Sequence, residues 1–285
     1  MIVDVSKESC IRAAADGDGD TVRRYFTQIA ARHESTNSSP TGGDKQDSDY
    51  QHDRPAQEED NLTTDPAKSA FSVFLGDMTR TLFSEAIANG HVAVVQVLLL
   101  PLVTECIGKP LVDAMLPELL SAAINEDYVE IVECLLSHGA DTNALIENDT
   151  APLSRAAELG SLEMAQALAA HGANVNARHE TTGRTALHEA ARQGDVDVVA
   201  FLLARGADID CQDYQLRETS LLSAIKKGNR SVVGFLIEHK AQLNLLNAFG
   251  STALHVANVE GQREIQQVLQ AAGAQVLEVP RTPRR

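Results

Sequence analysis

Three features are scarce in this sequence of 285 residues: basic side chains, long hydrophobic runs and clustered cysteines. Lysine and arginine number 24 against 40 aspartates and glutamates, which gives a formal net charge of −16. A chain this acidic has little nonspecific attraction for phosphate backbones or anionic lipid. The composition therefore argues against nucleic acid as the primary ligand and against binding to a membrane surface.

The longest apolar run, residues 94–103, is interrupted by Gln96 and Pro101 and is far too short to cross a bilayer. Asp4 precedes any long apolar stretch, so we expect neither a signal peptide nor a membrane span. The cysteines form no CxxC pair and no dense framework, which is typical of reduced thiols in a cytoplasmic or nuclear protein. They are Cys10, Cys106, Cys134 and Cys211.

An internal repeat runs through the second half of the sequence. In its best copy, one helix opens at Thr185 and stops at Gly194, a second begins at Asp195, and Gly206 follows in an expected left-handed conformation. One such unit cannot bury its apolar face alone, so the pattern predicts stacked helix pairs. The alanine of a Gly-Ala-Asp-like phrase marks the interval of 33 or 34 residues, at Ala140, Ala173, Ala207, Ala241 and Ala274.

Three short phrases in the repeats carry a known signature. TALHEAA at Thr185–Ala191 and TALHVA at Thr252–Ala257 are near-complete copies of TPLHxA, and APLSRAA at Ala151–Ala157 is a looser one. By these motifs the sequence resembles the ankyrin-repeat family, whose unit has about 33 residues. The resemblance implies an all-α solenoid of six or seven helix–turn–helix units that binds proteins on its concave side.

The chain divides into five predicted segments. The second of them is polar and acidic with few aliphatic residues, a composition that predicts a disordered insertion. The third contains an extended loop, predicted between Leu100 and Leu116 from its two prolines. The segments are a degenerate N-terminal capping repeat at 1–30, the insertion at 31–70, an ankyrin-like repeat at 71–116, five ankyrin repeats at 117–276 and a basic Pro/Arg tail at 277–285.

The sequence offers no catalytic, metal or cofactor motif. It contains no GxSxG, no zinc-binding helix with paired histidines and no GK[ST] phosphate loop, so we predict a non-enzymatic protein without a cofactor. The family resemblance implies that His188 and His255, in the TPLH position, bond locally to the backbone. Cys134 is expected to be packed in a second helix and Cys211 to be more exposed in a loop, both without catalytic reactivity.

Three apolar residues stand on turn tips where neighbouring repeats carry polar ones: Tyr214, Leu216 and Phe249. Exposed aromatic side chains make good interface anchors, although these residues could equally pack along the array onto adjacent turns. Arg217 and Asp149 occupy the tip position that Gly183 fills in the best copy. We therefore expect the tip conformation to differ at those two residues.

Basic residues lie at the ends of the first helices, just before the turn, at Arg192, Lys226 and Lys227. Together with Arg155 and Arg230 they predict a local basic patch for an acidic peptide, unless they are simply solvated charges. With the three apolar tip residues, they are the candidate partner contacts.

Two modifications are suggested. The resemblance implies hydroxylation of asparagines in the GADVN-like phrase, whose default role is hydrogen bonding in the loop between repeats; these are Asn143, Asn176 and Asn244. Thr282, in the tail PRTPRR, is a candidate for proline-directed phosphorylation.

Three functions remain open from the sequence. The first is a protein-binding scaffold or adaptor, and the second is a regulator that controls transcription or a biosynthetic or signalling pathway by sequestering a target. The third is a non-catalytic accessory subunit of an enzyme. Fold alone does not choose among them.

Overall fold

The computed structural model describes residues 6–37, 66–100 and 109–275. The chain forms two compact units, residues 1–114 and 115–285. The described residues contain fourteen α-helices, and their only β-type pairing is an isolated bridge between Ile146 and Thr150.

The described residues of unit 1 form two helix pairs and the start of a fifth helix. Ser6 caps the first helix by accepting the Ser9 N–H at 3.2 Å, and Gly17 ends it. His91 Nε2 lies 2.9 Å from the Ala15 carbonyl and ties the turn before the fourth helix to the end of the first. The helices are α1 (Lys7–Asp16), α2 (Gly19–Asn37), α3 (Pro66–Ala88) and α4 (Val92–Leu98).

Two helices of unit 1 extend into the segment 31–70, which the sequence predicted to be a disordered insertion. Helix α2 ends at Asn37 and α3 begins at Pro66, so helical structure enters both ends of the segment 31–70. The remainder of that segment, residues 38–65, lies outside the described residues, as do Cys106 and the tail 277–285 with Thr282.

Unit 2 contains helix pairs that follow one another along the chain. The second helices of successive pairs contact one another in a row, and the first helices do so from residue 152 onward. The pairs are α5 (Lys109–Asn125) with α6 (Val129–Ser137), α7 (Pro152–Leu159) with α8 (Leu162–Ala170), α9 (Ala186–Gln193) with α10 (Val196–Ala204), α11 (Ser220–Lys227) with α12 (Arg230–Glu238), and α13 (Ala253–Val259) with α14 (Arg263–Ala271). Helix α5 contains the boundary between the two units.

Small side chains explain the close packing of the first helices. Ala156, Ala190, Ala224 and Ala257 recur at one position of α7, α9, α11 and α13 and are fully buried. Alanine is a strong helix former and leaves room for a neighbouring helix to approach. The predicted fold, a solenoid of helix pairs, is confirmed.

The predicted loop between Leu100 and Leu116 is wrong over its second half. Helix α5 begins at Lys109, and Pro117 lies inside it. Pro110 occupies the first helical turn, where a backbone N–H would have no intrahelical partner and a proline is therefore tolerated. Residues 101–108 lie outside the described ones.

In unit 2, the second residue after each second helix adopts a left-handed backbone. Gly206 has φ of 87°, as predicted, but Lys240 holds the same position after α12 with φ of 66°. A side chain in this region costs about 1–2 kcal/mol that glycine avoids.

We expect Lys240→Gly to raise the free energy of unfolding by about 1 kcal/mol, because Lys240 is exposed and no packing is lost. Urea titration checks this, with Lys240→Ala as the control. The alanine variant keeps the strain and should gain nothing, and an equal gain in both variants would contradict the explanation.

Candidate protein-binding surface

The candidate surface of unit 2 consists of the turn tips and the first helices that follow them. Adjacent tips are joined through the backbone: the Tyr214 N–H donates to the Thr182 carbonyl at 2.8 Å, and the Ala248 N–H donates to the Leu216 carbonyl at 2.8 Å. The tips are residues 146–150, 179–184, 213–218 and 247–252, and the helices are α7, α9, α11 and α13.

The tip backbone at Arg217 follows that of the glycine it replaces. The φ angle is 50° at Arg217 and 71° at Gly183, so the expectation of a different conformation is wrong there. Asp213 Oδ1 accepts the Glu218 N–H at 3.1 Å and holds the tip closed. At Asp149 the expectation is correct, because Asn148 is also left-handed, with φ of 58°, and lies with it in a 3₁₀ turn.

His188 anchors the tip of the following repeat. Its Nδ1 accepts the Thr185 N–H at 3.2 Å, which places the ring proton on Nε2, and Nε2 donates to the Glu218 carbonyl at 3.0 Å. Only 1% of His188 is exposed, and this burial lowers its pKa below the ordinary value. The implied backbone bonding is confirmed at His188 and wrong at His255, which is exposed and whose ring has no hydrogen-bond partner within the described ranges.

The apolar tip residues combine packing with exposure. The Tyr214 ring lies against Gly183, so that a Cβ at Gly183 would collide with it, yet 57% of Tyr214 is exposed. Phe249 is 73% exposed on the next tip, and Leu216 is half-buried. The packing interpretation is confirmed for Tyr214, since its ring contacts the adjacent turn, and its role as an interface anchor stays a prediction.

Arg178 explains why Cys211 is buried, contrary to expectation. The Arg178 Nη2 donates to Cys211 Sγ at 2.6 Å and to the Gln212 carbonyl at 3.2 Å, and its guanidinium lies 4.9 Å from the centroid of the Tyr214 ring. This long side chain crosses from the preceding repeat and covers the thiol. Cys134 is buried as expected, and burial raises the pKa of its thiol.

A chain of charges crosses the candidate surface; we call it the ion-pair network. Glu158 Oε2 accepts Arg155 Nη1 at 2.7 Å, and its Oε1 accepts Arg192 Nη2 at 3.2 Å. Glu189 Oε2 accepts Arg192 Nε at 2.7 Å, and its Oε1 accepts Arg184 Nη1 at 3.2 Å. Arg184 Nε lies 3.9 Å from Asp213 Oδ2, which completes the network of Arg155, Glu158, Arg184, Glu189, Arg192 and Asp213.

The network corrects the predicted basic patch. Arg192 and Arg155 contact glutamates, Lys226 pairs with the buried Glu218, and Arg230 pairs with Glu264 at 2.8 Å. Lys227 is exposed and has no ion pair in the described part of the chain. Four of the five basic residues are therefore paired with carboxylates, and partner binding by Arg192, Lys226 and Lys227 stays a prediction.

The sequence analysis did not predict that glutamates take part in this network, although the sequence contains a pattern that indicates it. The i,i+3 pair reads Arg155–Glu158 in α7 and Glu189–Arg192, in reversed order, one repeat later in α9. Stacked helices bring equivalent positions together, so this reversal predicts opposite charges facing each other across the repeat boundary.

The repeat asparagines hold successive loops together. Asn143 Oδ1 accepts the Asn174 N–H at 2.7 Å, Asn176 Oδ1 accepts the Asp208 N–H at 2.8 Å, and Asn244 Oδ1 accepts the Gln275 N–H at 2.9 Å. The predicted hydrogen-bonding role is confirmed. All three asparagines are exposed, and their hydroxylation stays a prediction, as does phosphorylation of Thr282 outside the described residues.

Comparison with known families identifies the repeats. Residues 119–213 and 211–278 match the family model for ankyrin repeats, described as three copies. These matches cover more than half of the chain, and the chain belongs to the ankyrin-repeat family. Ankyrin repeats are generally protein–protein interaction modules, and their fold is typically non-enzymatic. No curated protein matches this sequence.

Two further observations concern the described residues alone. None of their helices has the length and apolar character needed to cross a membrane. Their histidine, cysteine and acidic side chains form no group of three or more able to hold a metal ion.

Proposed function

We propose that this chain is a non-enzymatic scaffold or adaptor that binds partner proteins along the candidate surface, the concave side of the array. The observation that carries the proposal is the exposure of Tyr214 and Phe249 on neighbouring tips. Aromatic side chains bury a large area on binding at a small entropy cost. The backbone bonds between tips and the contact of Tyr214 with Gly183 hold these anchors in place before a partner arrives.

The thiols support both a non-enzymatic role and a reducing location. Burial raises the pKa of Cys10 to about 12 and also raises the pKa of Cys134, so both remain protonated and poorly nucleophilic. The three described cysteines, Cys10, Cys134 and Cys211, are free thiols. This state fits the cytoplasmic or nuclear location that we propose.

The proposal predicts that a partner is lost when the tips lose their apolar side chains. The full chain and the variant Tyr214→Ala, Leu216→Ala, Phe249→Ala are used to capture proteins from the source cell, with quantitative mass spectrometry. We expect at least tenfold less of the specific partner on the triple variant, because interface anchors of this size each contribute about 1–2 kcal/mol or more.

Arg205→Ala is the control, because Arg205 is exposed directly after α10, a second helix that lies outside the candidate surface. It should retain the partner, and circular dichroism should show equal helicity in all variants. Equal retention by the triple variant would refute the assignment of the tips. If the full chain retains no specific partner, the scaffold proposal itself fails.

A further inference from the structure

A concavity of about 360 Å³ lies where the candidate surface passes from α7 to α9. Its charged lining consists of three arginines and two glutamates of the ion-pair network. Asp213, the remaining member, does not line it and is committed to backbone N–H groups of its own tip. The charged lining residues are Arg155, Glu158, Arg184, Glu189 and Arg192.

The hydrogen bonding of this lining is uneven. Each carboxylate oxygen of Glu158 and Glu189 already accepts a guanidinium N–H. In contrast, Arg155 Nη2, Arg184 Nη2 and Arg192 Nη1 donate to no acceptor among the residues that the structure describes. An arginine carries five N–H donors, so the concavity has guanidinium N–H groups to spare, whereas every glutamate oxygen in it already accepts one.

From this excess we infer that the concavity is a subsite for one carboxylate side chain, Asp or Glu, in an extended segment of the partner protein. The inference rests on the proposed function and names the chemistry of one contact within it. The glutamates fix the guanidinium groups in position, so an incoming carboxylate accepts charge-assisted hydrogen bonds without first ordering flexible arginines.

The local charge selects a carboxylate over other groups. Three guanidinium groups and two carboxylates leave one positive charge in the lining itself, with Asp213 outside it at 3.9 Å from Arg184 Nε. A single Asp or Glu therefore adds the smallest negative charge that can accept the spare N–H groups. A phosphate group carries a charge of about −1.5 to −2 at neutral pH, and its additional negative charge would lie beside the carboxylates of Glu158 and Glu189. A lysine ammonium group only donates hydrogen bonds, as the guanidinium groups do, so it could form none with them.

The test uses a library of nine-residue peptides displayed with blocked C-termini and selected on the full chain. Selected peptides are then synthesised as C-terminal amides with the acidic residue kept or replaced by its amide, and Kd is measured by fluorescence anisotropy. We expect an acidic residue at one fixed position of the selected peptides. Replacing Glu by Gln in the peptide should weaken binding by about tenfold or more.

Protein variants connect this preference to the concavity. Arg192→Gln should weaken the Glu peptide by about tenfold and change the Gln peptide little, whereas Arg205→Gln, an exposed arginine at the end of α10, should change neither. Glu158→Gln removes a negative charge beside the subsite, while its amide oxygen can still accept a guanidinium N–H, and should tighten the Glu peptide several-fold. Damage to the fold would weaken binding in both network variants, so the opposite signs separate binding from stability.

Three outcomes overturn the inference: no peptide is selected, the selected peptides lack a fixed acidic residue, or Arg192→Gln weakens the Glu and Gln peptides equally. None of these decides the proposed function, which depends on capture of a partner by the tips. Loss of the partner on the triple tip variant, together with any of these three outcomes, would retain the scaffold and remove the carboxylate subsite.

Discussion

Replacing His188 with alanine is expected to lower the free energy of unfolding by about 3 kcal/mol, one of the two largest effects that this structure predicts. The change removes a buried ring and leaves the Thr185 N–H and the Glu218 carbonyl without their partner. Each unsatisfied buried group costs about 1–3 kcal/mol. The loss also uncouples α9 from the tip before α11, and urea titration followed by circular dichroism measures it.

His255→Ala is the natural control, because His255 occupies the same place in the TALH motif. Its ring is exposed, so its removal should change stability by less than about 0.5 kcal/mol. If both substitutions cost the same, the contribution would come from the motif position and not from the bonds that His188 makes.

The same histidine predicts a pH dependence. Burial lowers the pKa of His188 from its ordinary value of 6.5, so between the two pKa values the unfolded chain binds a proton that the folded chain does not. The stability that neutral His188 provides is complete above pH 6.5 and is lost as the pH falls toward the folded pKa. The slope is at most about 1.4 kcal/mol per pH unit.

Urea titrations at about pH 7.5 and pH 5.5 on the native chain and on His188→Ala isolate this effect, since the other titrating groups are common to both. The difference in unfolding free energy between the two proteins should shrink at the lower pH. A constant difference would mean that His188 does not titrate in this way.

The second large effect is expected for Ala190→Leu, which should also lower the free energy of unfolding by about 3 kcal/mol. Ala190 is fully buried in α9, whose neighbours in the row of first helices are α7 and α11. A leucine there must push the helices apart or adopt a strained rotamer. Because repeats contact only their neighbours, we also expect the single unfolding transition to split into two as the halves of unit 2 uncouple.

Ala204→Leu provides the comparison, since Ala204 is the exposed last residue of α10. The same added volume at a solvated position should change stability by less than about 0.5 kcal/mol. The unfolding of both variants is followed by circular dichroism and by proteolysis, under the same conditions. A single transition in Ala190→Leu would contradict the dependence on first-helix packing.

Most of the fold follows from local patterns. The TPLHxA-like phrases place small residues in the first helices, where Ala156, Ala190 and Ala257 are fully buried, and Gly206 adopts the left-handed backbone expected of it. The start of α5 was missed because Pro110 indicates a break in most contexts but is tolerated in a first turn. The helix propensity of proline cannot tell a helix break from a first-turn proline unless the start of the helix is already known.

The surface was harder to predict because its long side chains reach across repeat boundaries. The sequence places Cys211 in a loop, and only the path of Arg178 from the preceding repeat covers it. Likewise, the basic residues Arg192 and Lys226 are visible in the sequence, whereas their pairing with Glu158 and Glu218 depends on rotamers and on the distance between stacked elements. The tip residues were recognised from their positions, but the sequence left their exposure open: Phe249 is 73% exposed, whereas Leu216 is half-buried.

The reversed order of charges in α7 and α9 also has a consequence for how this array can evolve. A tandem duplication of the α7 unit would set Glu158 against a second copy of itself, and duplication of the α9 unit would do the same to Arg192. Like charges at facing positions repel. These two neighbouring units therefore suit each other better than either suits its own copy, and the array resists lengthening by simple gene duplication at this point.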